Sequence, residues 1–153
     1  MLQHDETVSV LNDLIETCRD GEKGFRACAD DADKTDPNIK EMFLDRAQNC
    51  ALAATELQDL VRAYGGIPSD SSSASAALHR RWLDIKTAVL GKNTEAVLNE
   101  CERGEDVAVK SYKKALERDL PESIRNVVER QYRGVLQNHD RIKQLRNQVS
   151  ARN

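Results

Sequence analysis

The sequence predicts an all-α protein in which four long helices form two helical hairpins joined by a long, partly helical crossover. Three observations carry this. Charged residues make up 32% of the 153 residues and aromatics 4%, with 7 Gly and 3 Pro to interrupt the chain, a composition suited to long helices. Apolar residues recur at alternating steps of three and four, the helical period. Gly and Pro fall between those stretches, and no stretch shows the two-residue alternation of a strand. A chain of this length suits one domain with one sizeable core, so residues 1–153 are read as a single bundle domain.

The first helix is expected from about Thr7 to Asp33, with Val8, Leu11, Ile15, Cys18, Phe25 and Ala29 on its inward stripe. The turn Asp33-Lys34-Thr35-Asp36-Pro37 ends it, and Asp36 can cap the next helix with Pro37 at its first position. The second helix is expected from Pro37 to about Tyr64, with Phe43, Ala47, Cys50, Ala54, Leu57 and Val61 inward. Gly65-Gly66-Ile67-Pro68 stops it. Ser69-Asp70-Ser71-Ser72-Ser73 reads as a loop. A helical stretch from about Ala74 to Leu90 follows, carrying Leu78, Trp82, Ile85 and Val89, and Gly91-Lys92-Asn93 breaks it. The next helix runs from Thr94 to about Arg118, with Leu98, Cys101, Ala108, Tyr112 and Ala115 inward. After the turn at Asp119-Leu120-Pro121-Glu122, the last runs to about Val149, with Ile124, Val128, Val135, Ile142 and Leu145 inward.

The hairpins are thus 1–64 and 94–150, and the crossover is 65–93. About 17 helical residues rise about 25 Å, enough to run the length of a bundle. One long crossover between two hairpins is the ferritin-like arrangement, whereas short loops alone would give a simple up-and-down bundle.

Residues 1–70 carry 15 acids and 7 bases, and residues 71–153 carry 11 acids and 16 bases, so the two halves should attract as they pack. The bases are interleaved with acids and lack aromatic neighbours, which argues for a solvated surface and against nucleic-acid binding. No apolar run approaches the roughly 18 residues of a membrane span. The start MLQHDETVSV lacks the basic-then-apolar pattern of a secretory signal, and with Cys18, Cys28, Cys50 and Cys101 showing no C-x-x-C spacing, four free thiols in the reducing cytoplasm are expected. A zinc cluster would need tighter spacing and nearby His.

The most informative pattern is a repeat. Cys18-Arg19-Asp20-Gly21-Glu22 and Cys101-Glu102-Arg103-Gly104-Glu105 are both C-x-x-G-E, 83 residues apart. Each places Glu on an apolar stripe with a helix-weakening Gly beside it. A buried Glu needs a partner or must protonate. Counting outward from the two turns puts Glu22, Glu105 and His139 near mid-bundle. They are the candidate metal ligands, for iron, manganese or zinc at a partial site. The competing reading is a buried polar pair, bonded to Tyr112, Gln131 or Asn138, that fixes the register of the bundle. Trp82 is read as packing of the crossover onto the bundle, and no catalytic set or nucleotide fingerprint is present.

The stretches CRDGEKGF, CERGEDVAVKSYKKAL, NHDRIKQLR and LHRRW resemble a bacterial family of unknown function whose members are classed as ferritin-like four-helix bundles. The resemblance covers nearly the whole chain and implies that fold, but no activity. In ferritin-like di-iron proteins, single Glu residues come from two helices and Glu-x-x-His from each of the other two. Glu22 and Glu105 match the single carboxylates. His139 has Leu136 three residues before it, and the second helix holds no His. The expected protein is therefore a non-catalytic structural or interaction bundle with a degenerate metal site. The alternative is a metal-binding bundle using the partial site. A homodimer fits either reading, and the protein partner is left open.

Overall fold

The computed structural model describes residues 2–32, 37–70, 76–91 and 93–152, of which 76–79 and 152 are described by backbone alone. Five helices follow one another: α1 (His4–Asp31), α2 (Pro37–Ala63), α3 (Ala76–Leu90), α4 (Thr94–Leu116) and α5 (Glu122–Arg152). Among the described residues there is no strand. The expected turn Asp33–Asp36 with its capping aspartate, the serines Ser71–Ser73, Lys92, and the side chains of Leu78 and His79 lie outside the described residues.

The helix ends follow local chemistry. α1 begins three residues before the expected Thr7: the extended Gln3 precedes it, its carbonyl accepts from the hydroxyl of Thr7, and Asp5 and Glu6 sit in the first turn. Acids there favour the positive end of the helix dipole, a contribution that apolar periodicity does not register. At the end of α2, Gly65 adopts φ +77°, the left-handed conformation that glycine takes without strain. The Gly65 N–H donates to Arg62 and the Gly66 N–H to Val61, each at 2.9 Å, which closes the last carbonyls of the helix. Asn93 caps α4 by accepting from the Ala96 N–H at 3.0 Å. Arg125 donates to the carbonyls of Leu116 and Arg118 and so satisfies the far end of α4.

α1 packs along α2 and α4 along α5, giving the two hairpins; α3 lies against α4 and α1. Trp82 fixes α3 to α1. Its ring meets Phe25 edge-on, with centroids 4.9 Å apart, and lies over Gly24, where a Cβ would stand 2.1 Å from the indole. Opposite charge also joins the halves. Glu6 pairs with Arg118, Asp31 with Lys86, Asp45 with Arg141 and Glu56 with Arg130, each an acid of the first half with a base of the second. Such surface pairs contribute about 0–1 kcal/mol each, so they orient the packing more than they stabilise it.

The apolar core is in two parts. One cluster joins Phe25, Met42, Phe43, Ile85, Leu98 and Ile142 at one end of the helices. The other joins Leu11, Ile15, Leu57, Val61, Ile124 and Val128 at the opposite end. Every long helix runs from one cluster to the other, and the buried Asp20, Glu105 and Gln131 sit on the stretches between them, with Arg46 at the edge of the first cluster. That intervening zone is the waist of the bundle.

Candidate functional site

Glu105 occupies the waist on α4 and is only 1% exposed. Its partner is Arg46 of α2. Nε of Arg46 donates to Oε1 at 2.6 Å and Nη2 donates to Oε2 at 3.1 Å, a two-pronged pair that engages both carboxylate oxygens. The Arg46 guanidinium also lies 5.3 Å from the centre of the Phe25 ring, a cation–π arrangement. Burial opposes the charge of Arg46, but the adjoining Glu105 outweighs it and holds the guanidinium above its ordinary pKa.

A second polar chain runs beside this pair. The Tyr112 hydroxyl donates to Oε1 of Gln131 at 2.7 Å and lies 3.4 Å from the Cys18 sulfur. The Gln131 amide in turn donates to Oε1 of Glu56 at 2.7 Å and to the Ala53 carbonyl at 3.3 Å, so the chain crosses from α4 through α5 to α2. Burial pushes the Tyr112 hydroxyl well above its ordinary value, as it does the Cys101 thiol; Cys28 and Cys50 are pushed up to about 12 and Cys18 is raised. All four cysteines are free. At neutral pH they are thiols, and hence poor nucleophiles.

Between these two polar chains the waist is open. A cavity of about 550 Å³ lies between α1, α2, α4 and α5, with Trp82 of α3 contributing to its wall. α2 and α5 stand apart here and are joined by long side chains, Arg130 and Gln131 to Glu56.

The three residues expected as ligands are held by different partners. Glu105 lines the cavity and is bonded to Arg46. Glu22, 16% exposed, is held by Arg19 and Arg26 of its own helix at 2.7 and 3.4 Å. His139 is bonded to the exposed Asp106 at 2.8 Å, with Glu102 at 4.0 Å. Among the described residues, no three His, Cys, Asp or Glu side chains form a group that could hold a metal ion. Tyr112 and Gln131, expected as partners of the carboxylates, bond to each other instead. Arg46 was the residue that sequence reasoning missed. Its signal was present: it stands three residues after Phe43 and four before Cys50, on the inward stripe of α2.

Fold and site together define an all-helical protein with a mid-bundle cavity floored by a buried arginine–glutamate pair. Residues 6–118, which span α1 to α4, match the model of the family described as Domain of unknown function (DUF2383), and the chain belongs to that family. No curated protein matches the chain.

Proposed function

We propose that this is a non-catalytic, cytoplasmic bundle of ferritin-like arrangement, a structural or interaction protein whose metal site is degenerate. The observation that carries the reading is the Arg46–Glu105 pair. A carboxylate ligand must offer an oxygen to the metal, and both oxygens of Glu105 are engaged by a fixed cation. A divalent ion there would meet the repulsion of Arg46 besides losing those two bonds. The remaining parts of a di-iron set are short as well, with Leu136 three residues before His139 and no His on α2. No helix among the described residues is long and apolar enough to cross a membrane.

Metal analysis of the purified protein, with thermal melts in added iron, manganese or zinc, tests the proposal. The expected outcome is no stoichiometric metal and no shift of the melt. Stoichiometric metal that disappears with Glu105→Gln or Glu22→Gln would overturn it in favour of a metal-binding bundle using Glu22, Glu105 and His139. Sedimentation equilibrium decides whether the bundle acts as a homodimer.

A further inference from the structure

A degenerate metal site does not by itself account for the cavity at the waist. Its volume, about 550 Å³, falls within the roughly 300–1,000 Å³ of small-molecule pockets. One part of its wall is apolar, built from Phe25, Trp82, Val107 and Val135. Another part carries the Arg46–Glu105 pair and the amides of Asn49 and Asn138. Genuinely empty cavities are apolar, whereas this one carries polar groups on part of its wall.

The electrostatics narrow the occupant. The charged side chains that line the cavity are Arg46, paired with Glu105, Arg130, paired with Glu56, and the buried Asp20, so an anionic head group meets three carboxylates and a cationic one meets two guanidinium groups. Hydrogen-bond donors are nonetheless on hand. The pair uses Nε and Nη2 of Arg46 and leaves Nη1 outside it. Donors beside an apolar, aromatic wall suit an uncharged molecule that carries an acceptor.

Gly134 is part of the cavity wall. It lies in the middle of α5, between Gln131 and Asn138 on the cavity face. A Cβ built on it would meet no atom within 4 Å. Glycine in a helix interior is about 1 kcal/mol less favourable than alanine. Here no close packing of a neighbour calls for it, unlike Gly24 under Trp82. What its missing side chain leaves is open space between α5 and α2.

We propose that the waist cavity, entered beside Gly134, binds a neutral, flat amphiphile that carries a carbonyl or similar acceptor. Its aromatic or aliphatic body lies against Phe25 and Trp82, and its acceptor takes hydrogen bonds from Arg46 and the neighbouring amides. The proposal does not depend on whether the bundle can bind a metal.

The test is fluorescence titration of the intact protein with prodan, a neutral naphthyl ketone, in parallel with anilinonaphthalene sulfonate, an anionic probe of related size. Near-ultraviolet circular dichroism confirms that each variant is folded. The expected result is saturable binding of prodan at one site, weakened about tenfold by Gly134→Trp, which fills the entrance, and by less than about twofold by Gly134→Ala. Should Gly134→Trp fail to fold, Asn138→Leu replaces an amide on the same wall and is expected to weaken prodan binding. Absence of saturable binding to the folded protein overturns the proposal. So does prodan binding that survives both Gly134→Trp and Asn138→Leu, which would place the probe elsewhere. Tighter binding of the sulfonate than of prodan overturns the assignment to an uncharged ligand.

Discussion

The C-x-x-G-E segments of α1 and α4 have the same letters at the same spacing, yet they end in different surroundings. In α4, Cys101 and Glu105 are both sealed, and Glu105 reaches across to Arg46 of another helix. In α1, Cys18 is buried but Glu22 stays at the edge of the core and pairs with arginines one turn away on either side. The glycines reverse the order of crowding. A Cβ at Gly21 would stand 2.7 Å from the Cys50 sulfur, whereas one at Gly104 would touch Ile85 at an ordinary 3.6 Å. The role of each motif residue is therefore set by what the facing helix presents. α2 brings a thiol against the first motif and a guanidinium to the second.

The largest expected effect separates the two glutamates. Arg46→Met leaves Glu105 buried without its cation and should lower stability in urea unfolding by about 3–5 kcal/mol. Adding Glu105→Leu to that variant should restore most of the loss, since replacing both members of a buried pair by apolar groups is often close to neutral. Glu22→Gln, by contrast, should cost less than about 1 kcal/mol because its ion pairs lie within one helix near the surface. Glu105→Gln should also lower stability, because it strands the buried charge of Arg46. Equal losses for Glu22→Gln and Glu105→Gln would show that the motifs are equivalent after all.

The glycines should differ next, and in sign. Gly21→Ala forces Cys50 or a helix to move and should destabilise by about 1–3 kcal/mol. Gly104→Ala adds a methyl group in ordinary contact and should stabilise α4 by up to about 1 kcal/mol. Thermal melts of the two single variants make the comparison.

The smallest effect is in the pH dependence of the two motif thiols. Both thiols have their folded pKa raised above the ordinary 9.0, Cys101 further by full burial beside Cys28 and Glu105, Cys18 less because Tyr112, Arg46 and Arg19 pull it back. A raised pKa means that the unfolded chain loses its proton first. The stabilisation is complete below pH 9 and falls as the pH climbs from there towards the folded value. Urea unfolding at pH 8 and pH 10.5 should show that loss, and Cys101→Ala should flatten it more than Cys18→Ala.

The helices were legible because their apolar period and their Gly and Pro stops are local signals. The extra turn at the start of α1 was not, because its residues, His4, Asp5 and Glu6, are polar and add nothing to the apolar pattern. The charge asymmetry of the halves was legible and reappears as acid–base pairs between them. Glu105 was legible as a buried carboxylate, but Glu22 reads identically, four residues after a cysteine on an apolar stripe. Only the opposing helix distinguishes them. Arg46 was hidden because stripes are read by counting apolar residues, and an arginine among them passes for surface. His139 lies beside the polar chains of Glu102 and Asp106, an arrangement that depends on how α4 and α5 are rotated against each other.

The division of the core has a consequence for how the molecule comes apart. The two apolar clusters are separate, yet α1, α2, α4 and α5 each contribute to both. A helix is a cooperative rod in which starting a new segment is costly and extending one is cheap. Losing the side chains of one cluster frees the helices that hold the other in place, so neither end can melt alone without breaking several rods at the waist. Two cores that do not touch should thereby behave as a single folding unit, with the helical backbone carrying the message between them. Trp82, the one tryptophan of the chain, packs on the first cluster and Tyr112 belongs to the second. Their signals should vanish together, as if the ends of the bundle were in direct contact.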